Sequence, residues 1–258
     1  MARVRMLRRS LLLCAALLGA APALLPLLPA RAADPVDMEL VLAVDVSGSI
    51  DEYEFQLQRK GYSDAFLDPR VLDAIRANPL QRIAVSMVEW SGAQNQAVIV
   101  DWTLVRDEAS ARAFAEAVLK PPRSSGRWTS ISGGIDFSMA MFERSPFQAQ
   151  RRVIDVSGDG VNNSGRPAEA ARDEAVKAGG TINGLAILND RPNPFGNFYQ
   201  PPPVPLDEYY ADKVIGGVGA FMITTNDFEG FERAVVQKLV REIAGLTVTP
   251  AGGYAGLK

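Results

Sequence analysis

The chain contains no histidine. That absence removes Ser-His-Asp and Cys-His nucleophile chemistry, along with the usual nitrogen ligands of zinc, copper and non-haem iron. Cysteine is almost missing too. The single one, Cys14, lies near the start, so residues 33–258 hold no thiol and must be stabilised by a core without disulfides. Basic runs are scarce. The whole chain has 27 Lys and Arg against 30 Asp and Glu; setting aside Arg3, Arg5, Arg8, Arg9 and Arg31 leaves 22 against 30, a net charge of −8. A mildly acidic body without a basic patch excludes nucleic acid as a partner class. It also excludes polybasic attachment to anionic membranes. What remains for metal binding is oxygen.

Residues 1–32 read as an export signal: four arginines, an uncharged apolar stretch from Leu11 to Leu28, and the small-x-small site Ala30-Arg31-Ala32. The apolar stretch approaches the length of a membrane span. Pro22, Pro26 and Pro29 interrupt it and the cleavage site follows at once, so we expect removal and no span afterwards. Leu13 is too large to precede a lipid-modified Cys14. Arg8-Arg9-Ser10-Leu11-Leu12 resembles a twin-arginine signal, which implies folding before export to the periplasm or beyond the cell. Residues 33–245 then suffice for one α/β domain, with 246–258 a flexible tail.

The body alternates apolar runs with helical patterns. Strands are expected at Glu39–Asp45, Arg82–Trp90, Gln96–Leu104, Arg152–Ser157, Thr181–Leu188 and Ala220–Thr224. The short link Ser91–Asn95 implies an antiparallel pair. Helices are expected at Asp51–Leu67, Asp107–Leu119, Ser130–Phe142, Pro167–Ala178 and Asp227–Ala244, and Tyr209-Tyr210 starts a short one. Asp51 and Glu54 form a capping-box pattern, and Phe55, Tyr62 and Phe66 share one face. Gly216-Gly217-Val218-Gly219 is a turn, because no strand precedes it as a dinucleotide motif requires.

Two strand ends are polar in a matching way. Asp45-Val46-Ser47-Gly48-Ser49 follows the apolar run Leu40–Val44 and brings one carboxylate and two hydroxyls to a single loop. Asp159 sits between glycines just past Arg152–Ser157. Between them, Thr129 precedes a helix, with Ser124, Ser125 and Ser130 as alternatives. Oxygen donors of this kind suit a hard divalent ion, Mg²⁺ or Mn²⁺ before Ca²⁺. In an open α/β sheet such donors gather outside the carboxyl ends of the strands. Helix capping and turn formation are the simpler roles for the same residues.

Asp45-x-Ser47-x-Ser49 after a strand, a downstream Thr129 and a later Asp159 resemble the metal-ion-dependent adhesion site of von Willebrand factor A domains. Stretches such as Leu42–Ser49, Val88–Ser91, Arg152–Gly160 and Thr181–Leu185 are most similar to a bacterial group of exported von Willebrand A-like proteins of unestablished function. The resemblance covers about Met38 to Ala244. It implies a doubly wound, mostly parallel six-stranded sheet with one antiparallel edge strand and helices on both faces (Rossmann-like). It further implies a metal held by Asp45, Ser47, Ser49, Thr129 and Asp159 and completed by an Asp or Glu of a partner protein. Trp128 departs from the small residue usual before that threonine.

Several other residues are candidates for partner contact. Glu89-Trp90 ends a strand near the site, as support or as contact. Asn162 and Asn163 shape the turn after Asp159 or face a partner. Phe195, Phe198 and Tyr199 lie among six prolines in residues 190–206, a stiff connector or a recognition loop. Asp155 is expected to be a buried carboxylate held by hydrogen bonds or by Arg152. The function expected is a metal-dependent protein-binding module without catalysis. The alternatives are a metal-assisted hydrolase with Glu89 as base, or a structural part of an envelope complex.

Overall fold

The computed structural model describes residues 33–124, 126–188 and 204–245. The expected leader, tail and recognition-loop residues Phe195, Phe198 and Tyr199 lie outside them. In chain order the elements are β1 (Asp34–Pro35), β2 (Glu39–Asp45), α1 (Glu52–Leu67), α2 (Pro69–Arg76), β3 (Ile83–Trp90), β4 (Gln96–Val105), α3 (Glu108–Leu119), α4 (Ile131–Glu143), β5 (Phe147–Gln148), β6 (Arg152–Gly158), α5 (Ala168–Lys177), β7 (Gly180–Ile187), α6 (Leu206–Tyr209), a π-helical turn (Tyr210–Val214), β8 (Met222–Thr225) and α7 (Phe231–Ala244).

Six strands form one sheet in the order β4-β3-β2-β6-β7-β8, parallel except for the β3–β4 hairpin. The doubly wound α/β architecture expected from the sequence is the one found. The chain leaves β2 toward β3 on one side and later returns to β6 on the other. The strand order therefore reverses between β2 and β6, and the loops after these strands splay apart to leave a crevice.

Both faces of the sheet are covered, which is why β2 and β3 are buried at every position. Alternate residues of β2 face opposite layers. Leu40, Leu42 and Val44 pack with Phe55, Tyr62, Phe66, Phe231 and Leu239 from α1 and α7. Val41 and Ala43 pack with Ile131, Ile135, Ala171 and Tyr210 on the other side. Gly134 lets α4 approach the indole of Trp90, which a Cβ would meet at 2.9 Å.

The α1 start follows the sequence expectation: Asp51 accepts from the Glu54 backbone N–H at 2.8 Å, and the Asp51 N–H donates to Glu54 Oε2 at 2.9 Å. A second helix, α2, was not anticipated. Asp68 closes α1 and caps α2, accepting from the Arg70 N–H at 2.8 Å, while Pro69 takes the first helical position. The last helix begins at Phe231 rather than Asp227, because the Asp227 carboxylate accepts from the Gly230 N–H at 2.7 Å and closes a turn first.

Asp155 is a buried carboxylate, as expected, but its basic partner is not Arg152. Its cationic partner is Lys238 of α7, at 2.6 Å and fully buried, while Arg152 reaches Glu39 at 3.3 Å. Arg152, the basic partner considered from the sequence, does not reach it because alternation along β6 sends residues 152 and 155 to opposite faces.

Candidate metal centre

The loops after β2 and β6 meet above the crevice. Asp45 ends β2 with its side chain fully buried. Its Oδ1 accepts the Ser47 backbone N–H at 2.7 Å, a bond that folds the loop back over the strand end. The Ser47 and Ser49 hydroxyls lie 3.2 Å apart, and Ser49 donates to Asp159 Oδ1 at 2.7 Å. Two distant stretches of chain thus place Asp45, Ser47, Ser49 and Asp159 in one polar group.

Thr129, in the loop before α4, approaches the Asp159 loop. It is buried, and a Cβ on Gly160 would lie 3.7 Å from its hydroxyl oxygen. Of the alternatives, Ser124 donates to Glu89 at 2.7 Å and Ser130 caps α4 by accepting from the Gly133 N–H at 3.1 Å. Ser125 lies outside the described residues. Asn163 Oδ1 accepts from the Thr129 N–H at 2.8 Å, and the Asn163 N–H returns to the Thr129 carbonyl at 2.8 Å. Asn162 ties the same loop to α4 by accepting from the Ser132 N–H at 3.0 Å. Both asparagines therefore lash the Asp159 loop to the Thr129 loop, the turn-shaping role; Asn163 is also exposed.

The electrostatics of the group are unbalanced. Burial raises the Asp45 carboxyl well above its ordinary value, and the nearby Asp159 charge raises it further. Asp159 is pushed up to about 6, chiefly by burial and against the Ser49 hydrogen bond. Asp45 Oδ2 is buried with no hydrogen-bond partner. An orphaned carboxylate oxygen facing a second carboxylate costs free energy unless a cation approaches it. Two carboxylates with three neutral hydroxyls fit a hard divalent ion and fit no soft one. Among the described residues no group of three or more His, Cys, Asp or Glu side chains is placed to hold a metal, so hydroxyls must complete any ligand set here.

Two further residues, Arg123 and Tyr210, shape the site. Arg123 donates to the carbonyls of Val46, Ser47 and Ile50 at 3.2, 3.3 and 2.7 Å, clamping the Asp45 loop from outside. Tyr210 rises from the π-helical turn on the other side. A Cβ on Gly158 would meet Tyr210 Oη at 2.8 Å and Asp45 Oδ2 at 2.9 Å, so glycine is required where β6 passes between them. The Tyr210 hydroxyl is buried and unpartnered, and burial with the charges of Asp45 and Asp159 raises its pKa well above the ordinary value. The Tyr209-Tyr210 pair was visible in the sequence, but its proximity to Asp45 was not.

Glu89 and Trp90 do not face outward. Both are fully buried. Glu89 accepts from Arg59 at 2.9 and 2.6 Å and from the Ser124 N–H and hydroxyl at 2.8 and 2.7 Å. The expectation of a partner contact, or of a free carboxylate base, is corrected by this burial and pairing. Glu89 instead anchors the loop that carries Arg123. The exposed aromatic on this rim is Trp128, at 61 % exposure beside Thr129.

A family model described as "Protein of unknown function (DUF1194)" matches residues 35–247. The chain belongs to that family. No curated protein matches it. Among solved structures, proximal thread matrix protein 1 from the mussel byssus shares 17 % identity with a TM-score of 0.56, over 82 % of this chain and 47 % of that one. A von Willebrand factor type A protein from Catenulispora acidiphila shares 15 % identity with a TM-score of 0.55, over 81 % and 43 %. A further structure of the mussel protein, described as having a zinc-occupied MIDAS motif, shares 13 % identity with a TM-score of 0.54, over 82 % and 49 %. The chain thus spans less than half the length of these matched structures. The likeness establishes the von Willebrand factor A fold. Among the described residues, no helix is long and apolar enough to cross a membrane.

Proposed function

We propose that the family member described here is a divalent-metal-dependent protein-binding module of the adhesion type. The observation that carries the reading is the orphaned, buried Asp45 Oδ2 in a group that holds a second carboxylate, Asp159, and, among the described residues, no cationic side chain. Asp45, Ser47, Ser49, Thr129 and Asp159 would hold the ion. The oxygen-only donor set favours Mg²⁺ or Mn²⁺, while the zinc in a mussel relative makes Zn²⁺ a necessary comparison. When bound, the ion supplies an open coordination position that an Asp or Glu of another protein fills. The clamps at Arg123, Glu89 and Asn163 keep the loops from closing over that position. The leader pattern of residues 1–32 supports a place in the periplasm or outside the cell.

The test has two stages on the same protein. Melting temperature is measured after chelation and with added Mg²⁺, Mn²⁺ or Zn²⁺, beside Asp45→Ala. An immobilised sample is then offered peptide pools rich in Asp and Glu, with Asn- and Gln-matched pools as controls. We expect a metal-dependent rise that Asp45→Ala lacks, and retention of acidic peptides only in the presence of metal. A rise without acidic retention would reduce the ion to a brace for the loops.

A further inference from the structure

Among the described residues, the large apolar side chains that stand exposed include two aromatic ones, Trp128 at 61 % and Tyr53 at 54 %. Both belong to the end of the sheet that carries the metal centre. Trp128 directly precedes Thr129, and Tyr53 lies in the first turn of α1, where the charge of Glu54 helps to raise Asp159.

Trp128 is held rather than loose. The Thr129 N–H is bonded to Asn163, and the Thr129 carbonyl accepts from the backbone N–H groups of Asn163 and Ser164 at 2.8 and 3.1 Å. The next residue, Ser130, donates its N–H to the Ser91 carbonyl at 2.6 Å. On the other side Gly126 rests on Ser91, where a Cβ would meet the serine Oγ at 1.9 Å. Gly92 leaves the turn beside the indole bare: a Cβ there would lie 3.6 Å from Trp128 Cβ and 3.9 Å from Cδ1. One edge of the side chain thus leans on the β3–β4 turn while most of it meets water. A ring fixed in this way offers a large apolar contact at little cost in conformational freedom.

Position and charge narrow what the ring can receive. Consecutive residues are about 3.8 Å apart at Cα, so Trp128 stands one backbone step from the proposed ligand Thr129. In an extended partner segment, the residue next to the metal-binding acid is offset by the same step. A tryptophan face accepts either a cation or an apolar group. Arg127, exposed and adjacent in the chain, and the ion itself both place positive charge near the ring, which disfavours Lys or Arg there.

We propose that Trp128 is a specificity-determining residue of the metal centre, seating a large apolar side chain, aromatic or aliphatic, adjacent in sequence to the partner's metal-binding Asp or Glu. This rests on the metal-dependent binding proposed above.

The test uses the full chain, with and without Mg²⁺, and blocked glycine peptides that carry one Asp with Phe, Leu, Lys or Gly beside it. In Mg²⁺, calorimetry should show the Phe and Leu peptides binding about fivefold or more tighter than the Gly and Lys peptides. They should also shield tryptophan fluorescence from acrylamide, since Trp90 is buried and Trp102 is half-buried with its N–H bonded to Met141. Trp128→Ala should bring the Phe and Gly peptides within about twofold of each other, whereas Trp128→Phe, which keeps a ring, should preserve the order. Metal-dependent binding of all four peptides with equal affinity overturns the role of Trp128 and leaves the metal-dependent function standing. An order that survives Trp128→Ala does the same, and a preference for the Lys peptide overturns the apolar class. If no Asp peptide binds in a metal-dependent way, the function and this inference fall together.

Discussion

β6 carries two carboxylates, Asp155 buried within the strand and Asp159 half-buried just past its end, and their surroundings differ in one component. Around Asp155 the fold supplies its own cation. Lys238 lies 2.6 Å from both Asp155 and Glu242, with Asn183 completing the group at 2.9 Å from Glu242. Around Asp159 there is Asp45 in place of Glu242, and there are hydroxyls where a lysine would stand. The lower group is an internal ion cluster that ties α7 to the sheet. The upper group has the same two carboxylates and, among the described residues, no internal counter-ion. A carboxylate pair with a lysine is a structural device; the same pair with serines fits the cation site proposed above.

Removing the internal cation is the most severe way to break this contrast. Lys238→Met leaves Asp155 and Glu242 buried and unpaired, and should cost about 3–5 kcal/mol in denaturant unfolding. A cost below about 1 kcal/mol would show that the cluster does not depend on its lysine.

A smaller effect sharpens the contrast through pH. Glu242 is raised from 4.5 to about 7, first by burial, with Lys238 opposing and Asp155 adding to the shift. Asp155 is raised as well, again mainly by burial. The folded state therefore binds the Glu242 proton more tightly than the unfolded chain does. Its contribution to stability is full below pH 4.5 and is lost as pH rises through about 7. The loss across that window is on the order of 3 kcal/mol. Glu242→Gln should flatten the decline, so its stability relative to the parent improves between pH 4.5 and 8 when melts are compared across buffers. A parallel pH dependence in the two proteins would contradict the assignment.

The upper group should respond in the opposite sense to loss of a charge. In chelator, Asp159→Asn should melt at or above the parent, because one of two mutually repelling carboxylates is gone. With Mg²⁺ at about a hundred times its dissociation constant the parent should gain roughly 2.7 kcal/mol, and the variant should gain none. A metal-dependent gain in Asp159→Asn would remove this residue from the ligand set.

Much of this was legible in the chain itself. The six main strands and the capping box of α1 follow from apolar periodicity and short-range hydrogen bonding, both set by neighbours in sequence. The candidate list Asp45, Ser47, Ser49, Thr129 and Asp159 could be assembled because each residue sits at a strand end or loop that local pattern marks. The second helix was missed although Asp68-Pro69 carries its start signal, because no break in apolar spacing separates it from α1. The supporting role of Glu89 was one of the two readings its position allowed, but its pairing with Arg59 and Ser124 was not visible in the sequence.

The order of apolar and polar residues determined the α/β layers, the placement of acidic and hydroxyl groups at strand ends, and the shortage of nitrogen and sulfur ligands. Only the tertiary structure decided that Lys238 neutralises Asp155, that Arg123 clamps the Asp45 loop, that Tyr210 comes close to Asp45, and that Arg241 has no carboxylate partner among the described residues. Local rules reach about one helical turn or one strand pair. These four facts depend instead on how α7, the loop before α4 and the π-helical turn pack across the sheet, where residues far apart in sequence meet through side-chain direction rather than spacing.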